Sequence, residues 1–304
     1  MTAAIRTESL TKHFGEVVAL EGLDLEVRTG EVMGFLGPNG AGKTTTTRLL
    51  LDLLRPTRGR AEVLGRDTRV DALEVRARTG YLPGDLALPE RWTTHELLAF
   101  HGRLRGGLDR GHADQLADRL GLDPTRPLGD LSRGNRQKVG IVQAFVSRPE
   151  LLILDEPSSG LDPLVQRELL DLVREVREDG RTVFFSSHVL SEVERVADRV
   201  AIIREGRLLL VDDVANLKGR SLVRMRIRFD QAPPLDEFAH LDAVREASTE
   251  DATLHLVVEG SPDQVIKTAA RYRVEGFSSD EADLEEIFLT YYAIGRAGEE
   301  RDDG

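Results

Sequence analysis

Residues 37–44 contain the first group of side chains whose types and spacing could do chemistry. They read Gly-Pro-Asn-Gly-Ala-Gly-Lys-Thr, which satisfies the pattern G-x-x-x-x-G-K-[ST] at every fixed position. Glycines let the backbone curl, so that successive N–H groups can point inward at phosphate oxygens. The segment therefore predicts a nucleoside triphosphate site, formed by Gly37, Pro38, Asn39, Gly40, Ala41, Gly42, Lys43, Thr44 and Thr45.

The last three residues of this site have distinct predicted roles. Lys43 can reach the β- and γ-phosphates, and Thr44 can ligate Mg²⁺ through its hydroxyl. Thr45 is placed to contact the α-phosphate. A helix that begins at this point adds the partial positive charge of its N-terminus, which favours an anion.

A second group of reactive side chains follows the apolar run at residues 151–154. A buried strand there would place Asp155 at the carboxyl edge of a parallel sheet, where ligands bind. We expect Asp155 to hold Mg²⁺ through water and Glu156 to orient or deprotonate the attacking water. The alternative interpretation is an ordinary strand that ends in two surface acids, and the phosphate loop upstream favours the chemical one.

The elements that must position these residues indicate an α/β fold with a mostly parallel sheet. Short apolar runs predict buried strands at residues 32–36, 151–154, 182–186 and 200–203, and helical patterns cover residues 43–54 and 163–178. Between about 85 and 148 the strand pattern lapses. Helical patterns at residues 94–104, 112–120 and 133–147 predict a helical subdomain inserted in the α/β core.

The pattern changes after Lys218, where apolar residues alternate with arginines from Val223 to Phe229. Period-two alternation predicts a half-buried antiparallel strand, and residues 254–258 predict a second one. Residues 284–291 predict a final amphipathic helix. We therefore expect an ATP-binding domain at 1–218, a small α+β accessory domain at 219–295 and a flexible acidic tail at 296–304.

Four further segments resemble the motifs of ATP-binding cassette (ABC) proteins. The family's signature, D-loop, switch-histidine strand end and adenine-stacking aromatic are similar to Leu131-Ser132-Arg133-Gly134-Asn135, Ser159-Gly160-Leu161-Asp162, Ser186-Ser187-His188 and Phe14. The resemblance covers residues 5–215 in order. Taken alone, Phe14 would be a core side chain, His188 a surface histidine and Ser132 a helix N-cap.

The resemblance implies a P-loop NTPase fold and a head-to-tail homodimer with two ATP molecules at its interface. Each site would take its catalytic groups Lys43, Glu156 and His188 from one subunit, with Mg²⁺ at Thr44 and Asp155. Ser132 and the Gly134 backbone of the other subunit would cap the γ-phosphate, because a helix N-terminus is a favourable anion site. ATP would then join two subunits, and hydrolysis would release them.

Two departures from the family pattern concern the metal and the signature. The family's Q-loop glutamine normally follows a strand end like Tyr81-Leu82-Pro83, but Gly84 stands there, followed by Asp85. Either Asp85 or water would then complete the Mg²⁺ shell. In the signature, arginine and asparagine replace a glycine and the last glutamine, whereas Ser132 and Gly134 are intact.

Composition limits the partners that this chain can have. The 304 residues carry a net charge of −12 and no cysteine, which excludes disulfides and thiolate metal sites. The acidic balance disfavours nonspecific nucleic-acid binding, which needs Lys and Arg against the phosphates. No apolar run approaches the roughly 20 residues of a membrane-spanning helix, so any membrane role requires a partner.

Three functional classes remain from the sequence: the motor subunit of a membrane exporter, a soluble ABC ATPase acting on a partner such as the ribosome, and a scaffold that binds ATP without hydrolysis. A single phosphate loop without a long heptad tract disfavours the second class, and Glu156 with His188 disfavours the third. Residues 283–289, followed by Tyr291-Tyr292, resemble the ending of the daunorubicin-exporter type of subunit, which pairs with ABC-2 permeases. An ordinary amphipathic helix is the alternative for that ending.

We therefore expect an exporter ATPase that is cytoplasmic and peripheral on the inner face of the cell membrane, attached through a permease on a separate chain. Residues 84–92 and the helix at 94–104 are the expected seat for a short permease helix. Trp92, the only tryptophan, is either an interface anchor or part of the subdomain core. The accessory domain could serve dimer stabilisation, regulation or permease contact.

Overall fold

The computed structural model describes residues 2–219 and 222–281. The chain forms two compact units, and the division between them falls between Asp212 and Asp213. The sequence-based boundary at Lys218 lies inside a helix, Val214–Gly219, that follows this division.

The first unit contains an α/β core with helices inserted between its strands. Its strands are β1 (Ala3–Phe14), β2 (Val17–Arg28), β3 (Val32–Leu36), β4 (Arg58–Val63), β5 (Arg66–Asp67), β6 (Thr79–Leu82), β7 (Leu151–Asp155), β8 (Thr182–Ser187), β9 (Arg199–Arg204) and β10 (Arg207–Asp213). Its helices are α1 (Lys43–Leu50), α2 (Ala72–Arg78), α3 (Thr94–Leu104), α4 (Arg110–Arg119), α5 (Arg133–Phe145), α6 (Pro163–Glu178) and α7 (Leu190–Val196), with a 3₁₀ turn at Leu128–Asp130.

A six-stranded sheet in the order β10-β9-β3-β8-β7-β6 positions the predicted chemistry. The pairs β3–β8, β3–β9, β7–β8 and β6–β7 are all parallel. Every residue of β3, β7 and β8 is buried, as expected for parallel strands covered on both faces. Because β3, β8 and β7 are neighbours, the loops that follow their carboxyl ends meet at one edge of the sheet.

A second, antiparallel sheet in the order β2-β1-β4-β5 was not predicted. The pairing of β1 with β2 has register shifts on both sides of Leu10, and Ser9 and Gly22 have left-handed φ angles of 45° and 58°. Such bulges interrupt the alternation that reveals a half-buried strand. Side chains of this sheet, including Leu20, share one hydrophobic core with Phe35 of β3.

The helix after the phosphate loop is shorter than its apolar pattern predicts. It ends at Leu50 rather than at residue 54, because Asp52 adopts a left-handed φ of 51° and the N–H groups of Leu53 and Leu54 turn back to the Arg48 carbonyl. Between residues 85 and 148, α3, α4 and α5 confirm the three predicted helices to within two residues at each boundary.

Gly34 lets α7 pack directly on β3. A Cβ built on Gly34 would lie 2.2 Å from Cγ1 of Val193, which is 0% exposed. The Ala197 methyl, just beyond α7, lies 3.4 Å from the same position. This close packing fixes the distance between α7 and β3, the strand that leads into the phosphate loop.

The second unit is a four-stranded antiparallel sheet with helices on one face. Its elements are α8 (Val214–Gly219), β11 (Leu222–Phe229), α9 (Asp236–Ala239), β12 (Val244–Glu250), β13 (Thr253–Glu259), α10 (Asp263–Ala269) and β14 (Val274–Glu281), with the strands in the order β12-β13-β11-β14. Both predicted strands are present, and Met225 and Leu256 join Phe238 in its core. The predicted final helix and acidic tail lie outside the described residues.

Within residues 2–219 and 222–281, no helix combines the length and the apolar character that crossing a bilayer requires.

The packing of α7 on β3 makes Gly34→Ala a test of this arrangement. We expect the added methyl to overpack the stiff, buried Val193 and to destabilise the protein by about 1–3 kcal/mol, seen as a lower Tm in thermal unfolding. Gly111→Ala in α4 is the matched control: its Cβ would meet nothing closer than Asp109 Oδ1 at 3.5 Å. It should raise stability by about 0.5–1 kcal/mol. A Gly34→Ala protein as stable as the parent would contradict the close approach.

Candidate active site

The phosphate loop connects β3 to α1, as its sequence predicts. Gly42 immediately precedes the helix with φ 106°, a conformation that suits glycine. Lys43 is the first helical residue, and its side chain curls back into the loop with 6% exposure. Its ammonium donates hydrogen bonds to the carbonyl oxygens of Gly37 at 2.6 Å and Pro38 at 3.1 Å.

The other residues of the loop differ in their burial. Ala41 is buried, Thr44 and Thr45 are half-buried, and Asn39 and Gly40 are exposed at the loop's tip. The buried positions anchor the loop, and the exposed backbone at its tip is accessible to a ligand.

Asp155 ends β7 and is completely buried. Its Oδ1 accepts a 2.6 Å hydrogen bond from the Ser186 hydroxyl on β8. Its Oδ2 is also buried, and no donor among the described residues reaches it. A buried carboxylate oxygen without a donor is costly, so this atom marks a place for a cation or its water.

Glu156 turns out of the strand with a left-handed φ of 49°. Its backbone N–H donates to both the carbonyl and the hydroxyl oxygen of Ser186, each at 3.1 Å. These bonds fix the turn, and the sparsely populated φ angle directs the carboxylate away from the path of β7. Strained backbone of this kind clusters at functional sites.

The Glu156 carboxylate lies between two nitrogen groups from separate elements. Its Oε1 is 3.0 Å from the Lys43 ammonium, and its Oε2 is 2.6 Å from Nδ1 of His188. Glu156 and Lys43 are 17% and 6% exposed, whereas His188 is 51% exposed. The structure thus brings together Lys43, Glu156 and His188 beside the buried Asp155.

The available oxygen ligands fit a hard divalent cation. Asp155 Oδ2 is unpartnered, and the Thr44 hydroxyl stands at the start of α1 beside Lys43. Mg²⁺ is usually held by one or two protein oxygens together with water and substrate phosphates. No cluster of three or more His, Cys, Asp or Glu occurs in the part of the chain that the structure describes.

Gly84, which stands in place of the family's glutamine, lies next to this metal position. A Cβ on Gly84 would be 3.3 Å from Asp155 Oδ2, whereas the neighbouring Asp85 is exposed. Burial raises the pKa of Tyr81 at the same strand end, and the Asp155 carboxylate raises it further. Tyr81 therefore remains neutral.

The signature residues contact the D-loop of their own chain. Ser132 caps α5 by accepting a 3.3 Å hydrogen bond from the Asn135 N–H. A Cβ on Gly134 would lie 2.8 Å from the Gly160 carbonyl oxygen, and the Arg133 guanidinium donates to the Ser159 hydroxyl at 3.3 Å. None of the hydrogen bonds within the described residues joins Ser132 or Gly134 to the phosphate loop.

Phe14 ends β1 and is 47% exposed. The Lys12 ammonium lies 4.9 Å from the centre of its ring. The structure therefore excludes the alternative of a core side chain, and the role of Phe14 in stacking on adenine stays a prediction.

Three residues form a polar cluster behind the site, and only Ser187 was named from the sequence, as part of the Ser186-Ser187-His188 strand end. Ser158 and Ser187 both hydrogen-bond to Glu192 of α7, below the loops that carry Glu156 and His188. The hydrogen bonds of Ser158 and Ser187 to Glu192 could not be predicted, because contacts between distant segments leave no local pattern in the sequence.

Comparisons with known proteins identify the family. A family model described as ABC transporter matches residues 20–159. The daunorubicin/doxorubicin resistance ATP-binding protein DrrA of Streptomyces peucetius is 35% identical, covering 95% of this chain and 92% of that protein. The bacitracin transport ATP-binding protein BcrA of Bacillus licheniformis is 38% identical, covering 73% of each chain.

Solved structures show the same fold. A structure described as the ATP binding subunit of an ABC transporter superposes with a TM-score of 0.66 at 29% identity, covering 71% of this chain and 92% of that one. A dimeric post-hydrolysis cassette, MJ0796 bound to ADP and Pi, has a TM-score of 0.64 at 22% identity. The chain belongs to the ATP-binding subunits of ABC transporters, and it is an ATPase of that family.

Proposed function

We propose that this chain is the ATP-hydrolysing subunit of an exporter and drives a permease on a separate polypeptide through ATP-dependent, head-to-tail dimerisation. The observation that carries the proposal is the position of the Glu156 carboxylate, between Lys43 and His188 and next to the buried Asp155. A carboxylate in this position can act on water, and the groups beside it can hold phosphate and Mg²⁺.

ATP binding would rearrange the ion pair at Lys43. The triphosphate is an anion that competes with Glu156 and the Gly37 carbonyl for the same ammonium. When phosphate takes Lys43, Glu156 Oε1 becomes free to accept a proton from water, while Oε2 stays oriented by His188. Binding thereby prepares the base, which couples nucleotide occupancy to hydrolysis.

Mg²⁺ would be held by Asp155, directly or through water, and by the Thr44 hydroxyl. It would supply charge neutralisation for the transferred phosphoryl group. The Asp155 carboxylate stays oriented because Ser186 holds its other oxygen. Gly84 brings no side-chain oxygen to that shell, so we expect water to complete it.

In the proposed dimer, the N-terminus of the signature helix α5 would face the ATP that is bound to the other subunit. The N-terminus of α5, with Ser132 and Gly134, can bind a γ-phosphate, but within its own chain it contacts the D-loop rather than the phosphate loop. The phosphate loop of a second copy would hold the ATP whose γ-phosphate this N-terminus binds. The γ-phosphate then contacts both subunits only before cleavage, so hydrolysis weakens the dimer.

Exporter function is supported by the relatives and by the extent of their similarity. DrrA and BcrA are named for daunorubicin or doxorubicin resistance and for bacitracin transport, and the match to DrrA covers 95% of this chain. We infer a comparable role for this chain, at the inner face of the cell membrane. The predicted exporter-type ending at residues 283–292 lies outside the described residues.

The inserted helical region has features suited to the permease seat. Phe100 and Leu104 of α3 are 42% and 70% exposed, and Trp92 packs edge-on against Phe100 at 5.4 Å. A cleft of about 850 Å³ lies alongside, lined by Trp92 and Glu96 among others. Trp92 is half-buried, so it both supports α3 and contributes to the exposed surface.

Glu156→Gln tests the catalytic assignment. The variant should bind ATP more tightly, because the neutral amide no longer competes for Lys43, and should lose about 10²–10⁴-fold in kcat, since it lacks the base. It should accumulate as an ATP-dependent dimer in size-exclusion chromatography with light scattering. Glu178→Gln, at the exposed end of α6, is the matched control and should behave like the parent. A monomeric Glu156→Gln protein at saturating ATP would rule out the dimer model.

Lys43→Ala tests the phosphate loop. Removing the ammonium should weaken ATP binding by about tenfold or more, because a buried charged hydrogen bond to phosphate contributes about 1.5–3 kcal/mol. Titration with a fluorescent ATP analogue measures the affinity. Lys267→Ala, in the second unit, serves as control. Undiminished binding by Lys43→Ala would mean that the loop is not the phosphate site.

Charge reversal tests the permease seat. Glu90→Lys and Arg91→Glu change exposed side chains beside Trp92 and should reduce permease co-purification and permease-stimulated ATPase while leaving basal ATPase unchanged. Glu96 is a poor probe, because its carboxylate accepts the Thr93 N–H at 2.8 Å and caps α3. Arg69→Glu, on an exposed loop, is the control. Intact transport and co-purification in the Glu90→Lys/Arg91→Glu double variant would refute this seat.

A further inference from the structure

A buried polar cluster lies directly behind the site and takes no part in the chemistry described above. Glu192 of α7 is 7% exposed, and its Oε2 accepts hydrogen bonds from the Ser158 hydroxyl at 2.8 Å and the Ser187 hydroxyl at 2.9 Å. Both serines are also buried, with 7% and 0% exposure. One carboxylate oxygen therefore connects two segments that are distant in the sequence.

The first segment is the end of β8, where three consecutive side chains alternate in direction. Ser186 and His188 contact Asp155 and Glu156, respectively. Ser187 lies between them and points the other way, toward α7, as strand geometry requires. Its hydroxyl oxygen also accepts the Val189 N–H at 2.9 Å. Ser187 therefore fixes the turn that carries His188.

The second segment is the loop that leads from Glu156 to the D-loop. The Ser159 N–H donates to the Glu156 carbonyl at 3.1 Å, and the Leu161 N–H donates to the Ser158 carbonyl at 3.1 Å. Ser158 thus sits between two tight turns, and its side chain is the polar anchor of this loop. Its position determines where Ser159 and Gly160 meet the signature helix.

Glu192 itself is held in place from below. The next residue, Val193, packs against Gly34 so closely that a Cβ there would lie 2.2 Å from Val193 Cγ1. Gly34 belongs to β3, the strand that enters the phosphate loop. The Glu192 carboxylate is consequently fixed relative to the strand that supports Lys43.

We propose that Glu192 is a positioning residue that holds the His188 turn and the D-loop in register with each other and with the phosphate loop. The proposal rests on the roles proposed above for Glu156 and His188. Glu192 acts through Ser158 and Ser187, and its own described hydrogen bonds go only to those two hydroxyls.

The physical basis is the strength of charge-assisted hydrogen bonds in a dry environment. A carboxylate accepts hydroxyl hydrogens more strongly than a neutral oxygen does, and low local polarity increases the effect. Without Glu192, both buried hydroxyls would need new partners, so the two turns would relax independently. A displacement of about 1 Å at reacting groups can cost about 10²-fold in rate.

The first experiment compares Glu192→Ala with the parent protein and with Glu178→Gln, using kcat, ATP affinity and Tm. We expect Glu192→Ala to lower kcat by about 10- to 100-fold and to leave the Kd for ATP within about twofold, since Lys43 and its loop are untouched. Glu178→Gln should match the parent. A variant that loses only Tm, with kcat unchanged at a temperature where it is fully folded, would show a merely structural role and overturn the proposal.

A double-mutant cycle keeps the test decisive if Glu192→Ala fails to fold. Ser158→Ala and Ser187→Ala each remove one hydroxyl, and Ser191→Ala, exposed on α7, is the control. Each single change should lower kcat, and the double variant should lose less than the product of the single losses, because either change already breaks the connection. Independent, multiplicative losses, or no loss at all, would overturn the proposal, since these serines share no interaction except through Glu192.

Failure of this inference can be told apart from failure of the proposed function. If Glu156→Gln still hydrolyses ATP at the parent rate, the catalytic assignment is wrong whatever the serine variants do. If Glu156→Gln is inactive and dimeric while the serine losses multiply, the catalytic assignment holds and the positioning role of Glu192 is rejected.

Discussion

The buried ion pair between Lys43 and Glu156 is the constraint on which the rest of the site depends. An ammonium with 6% exposure needs a compensating charge, because an isolated buried ion is strongly destabilised. The compensating Glu156 reaches it only because β3 and β7 lie on either side of β8, so that the loops after these strands meet. A phosphate group carries charge of the same sign as the Glu156 carboxylate. It can therefore replace that carboxylate beside Lys43 without leaving the buried ammonium uncompensated.

One carboxylate oxygen beside this ion pair has neither a hydrogen-bond donor nor a facing cation among the described residues. Ser186 satisfies Asp155 Oδ1 and the Glu156 backbone, and His188 satisfies Glu156 Oε2. Two carboxylate oxygens of these acids, Glu156 Oε1 and Asp155 Oδ2, accept no hydrogen bond among the described residues. Glu156 Oε1 faces the Lys43 ammonium at 3.0 Å, whereas Asp155 Oδ2 has neither a donor nor a cation beside it. A buried carboxylate oxygen without a donor or a facing cation is a suitable position for a metal ion or its water.

The sequence predicted the parts of the fold whose signals are local. Continuous apolar runs revealed β3, β7 and β8, and the helical pattern at residues 163–178 predicted both ends of α6. The antiparallel sheet was missed because bulges disturb its alternation, and α1 was overextended because the left-handed Asp52 ends it within an apolar stretch. The candidate site residues could be predicted because their motifs are contiguous. Their mutual contacts could not, because a bond such as Ser158–Glu192 joins segments that only the folded chain brings together.

The same non-local contacts explain how two sites in a dimer can work together. The D-loop begins at a turn that hydrogen-bonds to the Glu156 carbonyl, and a few residues later it packs against Gly134 and Arg133 of the signature helix. In the proposed dimer, the signature that caps one ATP is therefore attached through a short, tightly turned loop to the glutamate that acts on the other. A shift on phosphate release at one site must move this loop or strain it, because packed interfaces have discrete arrangements rather than continuous ones. In the proposed dimer, coupling between the two sites would then follow from the packing within each chain.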